Sequence, residues 1–156
     1  MTTKIDKAWE CEKIRDLLAR YCERLDEYDI GAVAQCFSED AVTDYGAGRG
    51  GEITGRASIA RRIATGQSKF RRTHHQLGQV RIRLLDDDAE TTSYMTTWHE
   101  LASGKIDIVC LRYLDRLRHA DGEWLIYHRR VEVTLVDGFE GTEWNWVERN
   151  IPVASN

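Results

Sequence analysis

Proline is almost missing from this chain. The one proline among 156 residues, Pro152, lies near the end, so no proline-rich linker divides the body. Repeats and low-complexity segments are also absent. No apolar run reaches the length of a membrane span, and the opening residues, MTTKIDKAWE, hold no signal-peptide core. These absences argue against a membrane and favour a cytoplasmic setting. A surplus of positive charge is lacking too: 22 Lys and Arg face 26 Asp and Glu, a net charge of −4 with both signs scattered. Without a basic stripe there is no footprint for nucleic acid. The four cysteines, Cys11, Cys22, Cys36 and Cys110, have no CxxC spacing. Free thiols are therefore expected rather than disulfides or zinc ligands.

What is present is an ordinary globular balance, 42% hydrophobic and 31% charged. The length suits one domain with a real core. Residues 1–156 read as that domain, with the core at about 8–135 and a tail from 136 to 156.

The chain is organised around the stretch RDLLARYCERLD. Ile14, Leu17, Leu18, Tyr21, Cys22 and Leu25 follow the i, i+3, i+4, i+7 spacing of one helix face. Asp26 sits at the edge of that stripe. A carboxylate in such a place needs a partner, because an unpaired buried charge is costly. His75 is the best candidate.

The first helix is expected over about Ala8 to Tyr28. A second starts at Asp29, a plausible N-cap, and carries Ile30, Val33 and Phe37 before Ser38-Glu39-Asp40 ends it. Ala41 to Tyr45 reads as a short strand. The run Gly46 to Gly51 lacks the lysine and serine of a phosphate-binding loop and reads as a mobile connection. Glu52 to Thr54 returns as a strand, and Thr54 is the expected cap of a third helix, Arg56 to Gln67, with Ile59 and Ile63 inward. Four long strands follow, at about Phe70–Leu85, Glu90–Leu101, Lys105–Arg118 and Glu123–Leu135, joined by short polar turns. Helices first and a meander last make an α+β chain with helices on one face of the sheet. Thr73, His75, Leu77 and Gln79 alternate onto one face of the first long strand, and Val80, Ile82 and Leu84 onto the other. A bulge at Gly78 would reconcile them. Met95, Thr97, His99 and Leu101 share a face on the next strand, and Leu125, Tyr127, Arg129 and Val131 on the last. The tail aromatics Phe139, Trp144 and Trp146 are expected to cover the mouth of a cavity or pack on another subunit.

The segments IRDLLARYCERLDEYDIGAVAQCFSEDAV, TGRASIARRI, RRTHHQLGQVRI and GEWLIYHRRVEV, in this order, resemble the nuclear transport factor 2-like superfamily. The resemblance is to its polyketide-cyclase-like and scytalone-dehydratase-like branch, which includes bile-acid 7α-dehydratase and hexachlorocyclohexane dehydrochlorinase. It implies a cone-shaped, strongly curved, mostly antiparallel sheet wrapped around a long N-terminal helix, with two shorter helices and an internal pocket. It implies an Asp-His dyad at Asp26 and His75, with Tyr21 positioning substrate and Arg129 stabilising a leaving group. Thr73 and His99 also fall at site positions of relatives. This sequence departs from the pattern in having Gln79 where asparagine is common and a doubled His74-His75. Tyr21 and Asp26, five positions apart, do not share a regular helix face.

A dyad of this kind suits elimination: histidine takes a proton from carbon and returns it to the leaving group, while the carboxylate fixes the ring. The expected activity is a cofactor-independent lyase or isomerase acting on a hydrophobic cyclic small molecule. Catalysis would fall to Asp26, His75, Tyr21 and Arg129. Tyr45, Thr73, Leu77, Met95, His99 and Cys110 would line the substrate site. No metal or organic cofactor is expected; a His75–His99–Asp26 metal site has no ligand spacing behind it. The superfamily implies a homodimer or homotrimer. Two other readings share the fold: a non-catalytic ligand-binding or adaptor module, and the small subunit of a ring-hydroxylating oxygenase.

Overall fold

The computed structural model describes residues 4–139 and 141–150, with side chains from residue 6 onward. Helix α1 spans Lys4–Asp26, so it starts earlier and stops two residues sooner than the periodicity suggests. All six stripe residues are buried, none more than 4% exposed. The helix ends in a Schellman arrangement. The Asp29 N–H donates to the Arg24 carbonyl at 2.9 Å and the Tyr28 N–H to the Leu25 carbonyl at 3.1 Å. Tyr28 takes the left-handed position (φ 58°), which glycine usually fills. Its hydroxyl is anchored on the Ala64 carbonyl at 3.1 Å.

Asp29 then caps helix α2, Ile30–Gln35, accepting from the Ala32 N–H at 3.0 Å. Strand β1 runs Phe37–Asp44. Phe37 and Ser38-Glu39-Asp40, expected in the second helix and its end, thus belong to a strand. Phe37 is wholly buried against the Tyr21 ring, edge to face at 5.9 Å, and this tertiary contact overrides the local helix pattern. Strand β2 is Glu52–Thr54 and helix α3 is Arg56–Gln67, with Ile59 and Ile63 buried. Gly55, not Thr54, is the N-cap of α3, and no side chain caps it. The long strands are β3 Phe70–Leu84, β4 Asp88–Leu101, β5 Ile106–Ala120 and β6 Glu123–Asp137.

The six strands form one curved, unclosed sheet in the order β2-β1-β6-β5-β4-β3. Only β1 and β6 run parallel. Five register irregularities interrupt it, and three of them bear on which residues face inward. In β3 the register jumps from Leu77 opposite Met95 to Val80 opposite Ser93. Gly78 and Gln79 therefore share one partner residue, Tyr94. A Cβ on Gly78 would lie 3.3 Å from the Tyr94 carbonyl oxygen. This bulge puts His75, Leu77, Val80, Ile82 and Leu84 on one inner face, which resolves the parity conflict in the sequence. In β6 a second jump, between Ile126 and His128, puts Trp124 and Ile126 inside with Arg129 and Val131. Leu125 and Tyr127 do not share the Arg129 face, as simple alternation suggests. A third, at Thr134, bends the far end of β6.

No described helix is long and apolar enough to cross a membrane. The four cysteines are free, and Cys22 and Cys36 are buried. Truncating the α1 stripe should be costly. Leu17→Ala is expected to lower unfolding free energy by about 2–5 kcal/mol. Leu85→Ala, at an exposed site, should change it by less than about 0.5 kcal/mol. Denaturant titration of both variants checks the assignment of the core.

Candidate active site

The last residue of α1 meets the first turns of β3. One Asp26 oxygen, Oδ1, lies 2.6 Å from His75 Nδ1 and accepts from the Thr73 hydroxyl at 2.8 Å. The other, Oδ2, accepts from the His75 backbone N–H at 2.9 Å. A carboxylate at a helix C-terminus faces the negative end of the helix dipole. Burial would raise its pKa further, yet the donors from His75 and Thr73 outweigh this and hold the carboxyl below its ordinary value. Asp26 is thus ionised at neutral pH. It accepts at both oxygens, so His75 carries its proton on Nδ1 and leaves the Nε2 lone pair for the cavity.

The doubled histidine resolves by strand parity. The His75 side chain is 3% exposed, whereas that of His74 is 65% exposed and stacks on Trp98 on the outer face. The direct Asp26–His75 hydrogen bond leaves no space for an ion between these atoms.

His75 forms part of the wall of a partly open cavity of about 60 Å³ between α1, α3, the sheet and the tail. Tyr21 and Leu25 come from α1, Tyr45 follows β1, and Thr97 and His99 extend from β4. Val109, Leu111, Tyr113 and Val131 supply the floor. His99 crosses His75 edge to face at 5.3 Å and is packed between Phe70 and Phe139. Burial, then the charges of His75 and Arg49, push its pKa down to about 3, so it is neutral at pH 7. Burial raises the phenol pKa of Tyr21 and Tyr113 above the usual value, so both stay protonated donors.

Several residues expected in the site sit elsewhere. Arg129 is fully buried behind the tyrosines and does not line the cavity. Its guanidinium grips Asp115 through two bonds of 2.7 Å and lies over the rings of Tyr113, at 3.9 Å, and Tyr21, at 4.4 Å. Burial disfavours its charge, but Asp115 outweighs burial and holds it protonated. Thr73 serves Asp26 rather than the cavity. Leu77 and Met95 pack in the core nearer the narrow end, and Met95 Sδ lies 3.7 Å from Cys22 Sγ. Cys110 alternates onto the outer face, 4.0 Å from the Thr96 hydroxyl.

The sequence reading passed over Arg49, Arg62, Gln67 and Tyr113, while Trp144 borders the cavity as the tail aromatics were expected to. Gln67 had a signal: with Ile63 and Gly66 it completes an i, i+3, i+4 face of α3. Arg49 had none. It lies in the glycine-rich run, which is not a free loop but a short 3₁₀ turn, Ala47–Arg49, clamped by the tail. A Cβ on Gly48 would lie 2.3 Å from the Glu143 backbone nitrogen, so only glycine fits. The tail in turn is laced to β6: the Val133 N–H donates to the Asn145 carbonyl at 2.7 Å and the Val147 N–H to the Val133 carbonyl at 2.9 Å. Phe139 and Trp144 then close over the cavity, 5.7 Å apart, while Trp146 is half exposed. The expected tail residues 151–156 lie outside the described residues.

A model of the SnoaL-like domain matches residues 6–130. The chain belongs to the SnoaL-like family. It is thereby part of the nuclear transport factor 2-like superfamily. Among curated proteins none matches it. A crystal structure described as a candidate scytalone dehydratase, from Novosphingobium aromaticivorans, is similar at 21% identity and a TM-score of 0.85, covering 92% of this chain and 96% of that one. A hexachlorocyclohexane dehydrochlorinase, LinA type 2, is similar at 16% identity and a TM-score of 0.77, covering 96% and 100%. A protein described as a candidate aromatic ring hydroxylase, also from N. aromaticivorans, shares 25% identity at a TM-score of 0.73, covering 80% and 90%. At these identities the first two likenesses speak for the SnoaL-like fold alone.

Two expectations follow. Replacing Arg129 by Met strands the buried Asp115 carboxylate and should cost about 3–5 kcal/mol of stability; pairing it with Asp115→Leu should recover most of the loss in thermal or denaturant unfolding. Acid stability should also report on His99. Its folded pKa of about 3 lies below its ordinary 6.5, so within that window the unfolded chain binds a proton that the folded chain refuses. Stability is then full above pH 6.5 and falls on acidification, by up to about 1.4 kcal/mol per pH unit. His99→Asn should remove that slope in pH-dependent denaturation, leaving the loss near and below about pH 4 as Asp26 protonates.

Proposed function

We propose that the chain is a cofactor-independent lyase or isomerase that acts on a hydrophobic cyclic small molecule through Asp26 and His75. One observation carries this reading: the 2.6 Å contact that ties His75 Nδ1 to an ionised carboxylate while the ring faces a partly open, largely apolar cavity. Nε2 would then act as the base toward a bound C–H. It removes the proton beside a carbonyl. The electron pair moves onto the carbonyl oxygen as an enolate and returns to form C=C as the β-hydroxyl departs. The proton on Nε2 goes to that hydroxyl, so water leaves and the imidazole is restored. Asp26 stabilises the imidazolium between the two transfers. Tyr45, which lines the same cavity and whose hydroxyl is buried without a protein partner, would donate to the enolate oxygen. With a β,γ-unsaturated ketone the same proton removal would give a dienolate, and return of the proton to its γ-carbon would give isomerisation by the same groups.

The family supports a small-molecule pocket, and the names borne by the similar structures include dehydratase and dehydrochlorinase chemistry. A ligand-binding module, or an oxygenase small subunit, would leave the dyad without work. A cytoplasmic setting and a homodimer or homotrimer belong to the same proposal. The test is turnover of a panel of cyclic β-hydroxy ketones, followed by the absorbance of the new conjugated enone. Asp26→Ala and His75→Ala should each lower kcat by about 10²- to 10⁴-fold while remaining folded. Wild-type rates in both variants would reject the dyad.

A further inference from the structure

The lining of the cavity that His75 borders includes two arginines and no carboxylate. Arg49 and Arg62 both line the cavity. Among the described residues, no ion pair within 4.0 Å joins either of them to a carboxylate. The two are neighbours: Arg62 Nε donates to the Arg49 carbonyl at 2.8 Å. Arg49 lies over Trp144 at 4.8 Å and Phe139 at 5.7 Å, and Arg62 over Tyr45 at 5.8 Å. Ring faces offset part of the loss of water around a guanidinium, but they do not neutralise it. Four buried polar atoms around this cavity lack a partner in the protein: Arg49 Nε, the Tyr45 hydroxyl, Gln67 Oε1 and His99 Nδ1. Of the nine such atoms among the described residues these four border one cavity, where a ligand would supply partners that the protein does not.

The composition makes this pattern pointed. The chain has more acids than bases, and Arg129, in the same core, is given a dedicated carboxylate. The fold also leaves deliberate room here. A Cβ on Gly66 would lie 2.7 Å from Arg62 Nη1, so the glycine lets that head lie down against α3.

From this arrangement we infer that the substrate is a ring compound bearing a carboxylate, held by Arg49 and Arg62 with its ring against the apolar wall and its reacting carbon toward His75. Guanidinium forks match a carboxylate's two oxygens. The anchor that Arg129 cannot offer, because Asp115 occupies it, falls to these two side chains. The inference rests on the elimination reading for which end of the substrate meets His75, but the anion anchor itself is measured without turnover.

The experiment compares two probes of the same shape, 2-naphthoate and its neutral amide, 2-naphthamide, by calorimetry on the full chain. The wild type is expected to bind the carboxylate about tenfold or more tightly than the amide, about 1.4 kcal/mol. Arg49→Gln with Arg62→Gln should bring the two within about threefold, and Arg49→Lys with Arg62→Lys should keep a carboxylate preference. Equal binding of both probes by the wild type, or no binding of the carboxylate up to about 5 mM, overturns the inference. So does an unchanged preference in the double Gln variant. Asp26→Asn separates the two readings: it should abolish turnover and keep the carboxylate preference. Turnover retained in Asp26→Asn would sink the dyad and leave the anion anchor standing.

Discussion

The structure depends on one junction, where the carboxylate of Asp26, at the end of α1, is held by three donors from β3. Its position is unfavourable in isolation, since the carbonyl end of a helix repels an anion. It survives because the Thr73 hydroxyl, the His75 backbone N–H and the His75 ring converge on it within 2.9 Å. The same contacts fix the angle between the central helix and the sheet edge and select the tautomer of the histidine. A single ion thus couples packing and chemistry. The Schellman end at Tyr28 and Asp29 stops the helix at the residue where that ion is needed.

The second constraint is curvature. A flat sheet cannot enclose the helix, and a regular strand cannot keep an apolar face through the sequence of β3. The bulge at Gly78 solves both problems, because one extra residue bends the strand and exchanges its faces. The bulge in β6, three strands along the sheet, does the same, and there it turns Arg129 inward onto Asp115. A buried arginine with its own acid and three aromatic faces is a packing element of the core.

How far the sequence shows this depends on whether the determining contact is local. The stripe of α1, the cap at Asp29, the span of α3 and the four long strands are written in spacing and turn residues, and they match. Asp26 and His75 were legible as a pair because a carboxylate beside an apolar stripe demands a partner. Phe37 was not legible as a strand residue, because its place is set by the distant Tyr21 ring. Nor was the work of the glycine-rich run. Gly46 and Gly48 serve contact with Glu143, nearly a hundred residues later, and no period in the chain reveals that. Cys110 failed as a cavity residue for a simpler reason: one step of alternation separates the inner face from the outer.

The cavity combines two demands that oppose each other. A base such as His75 works best in a dry enclosure, where the field of Asp26 is little screened. Burial, with the charges of His75 and Arg49, lowers the pKa of His99. Two guanidinium groups in the same enclosure are costly to hold away from water without a counterion. A carboxylate would supply that counterion, so the proposed substrate would offset the cost of the site that receives it. A neutral ring of the same shape would fill the space and leave the two charges unmatched.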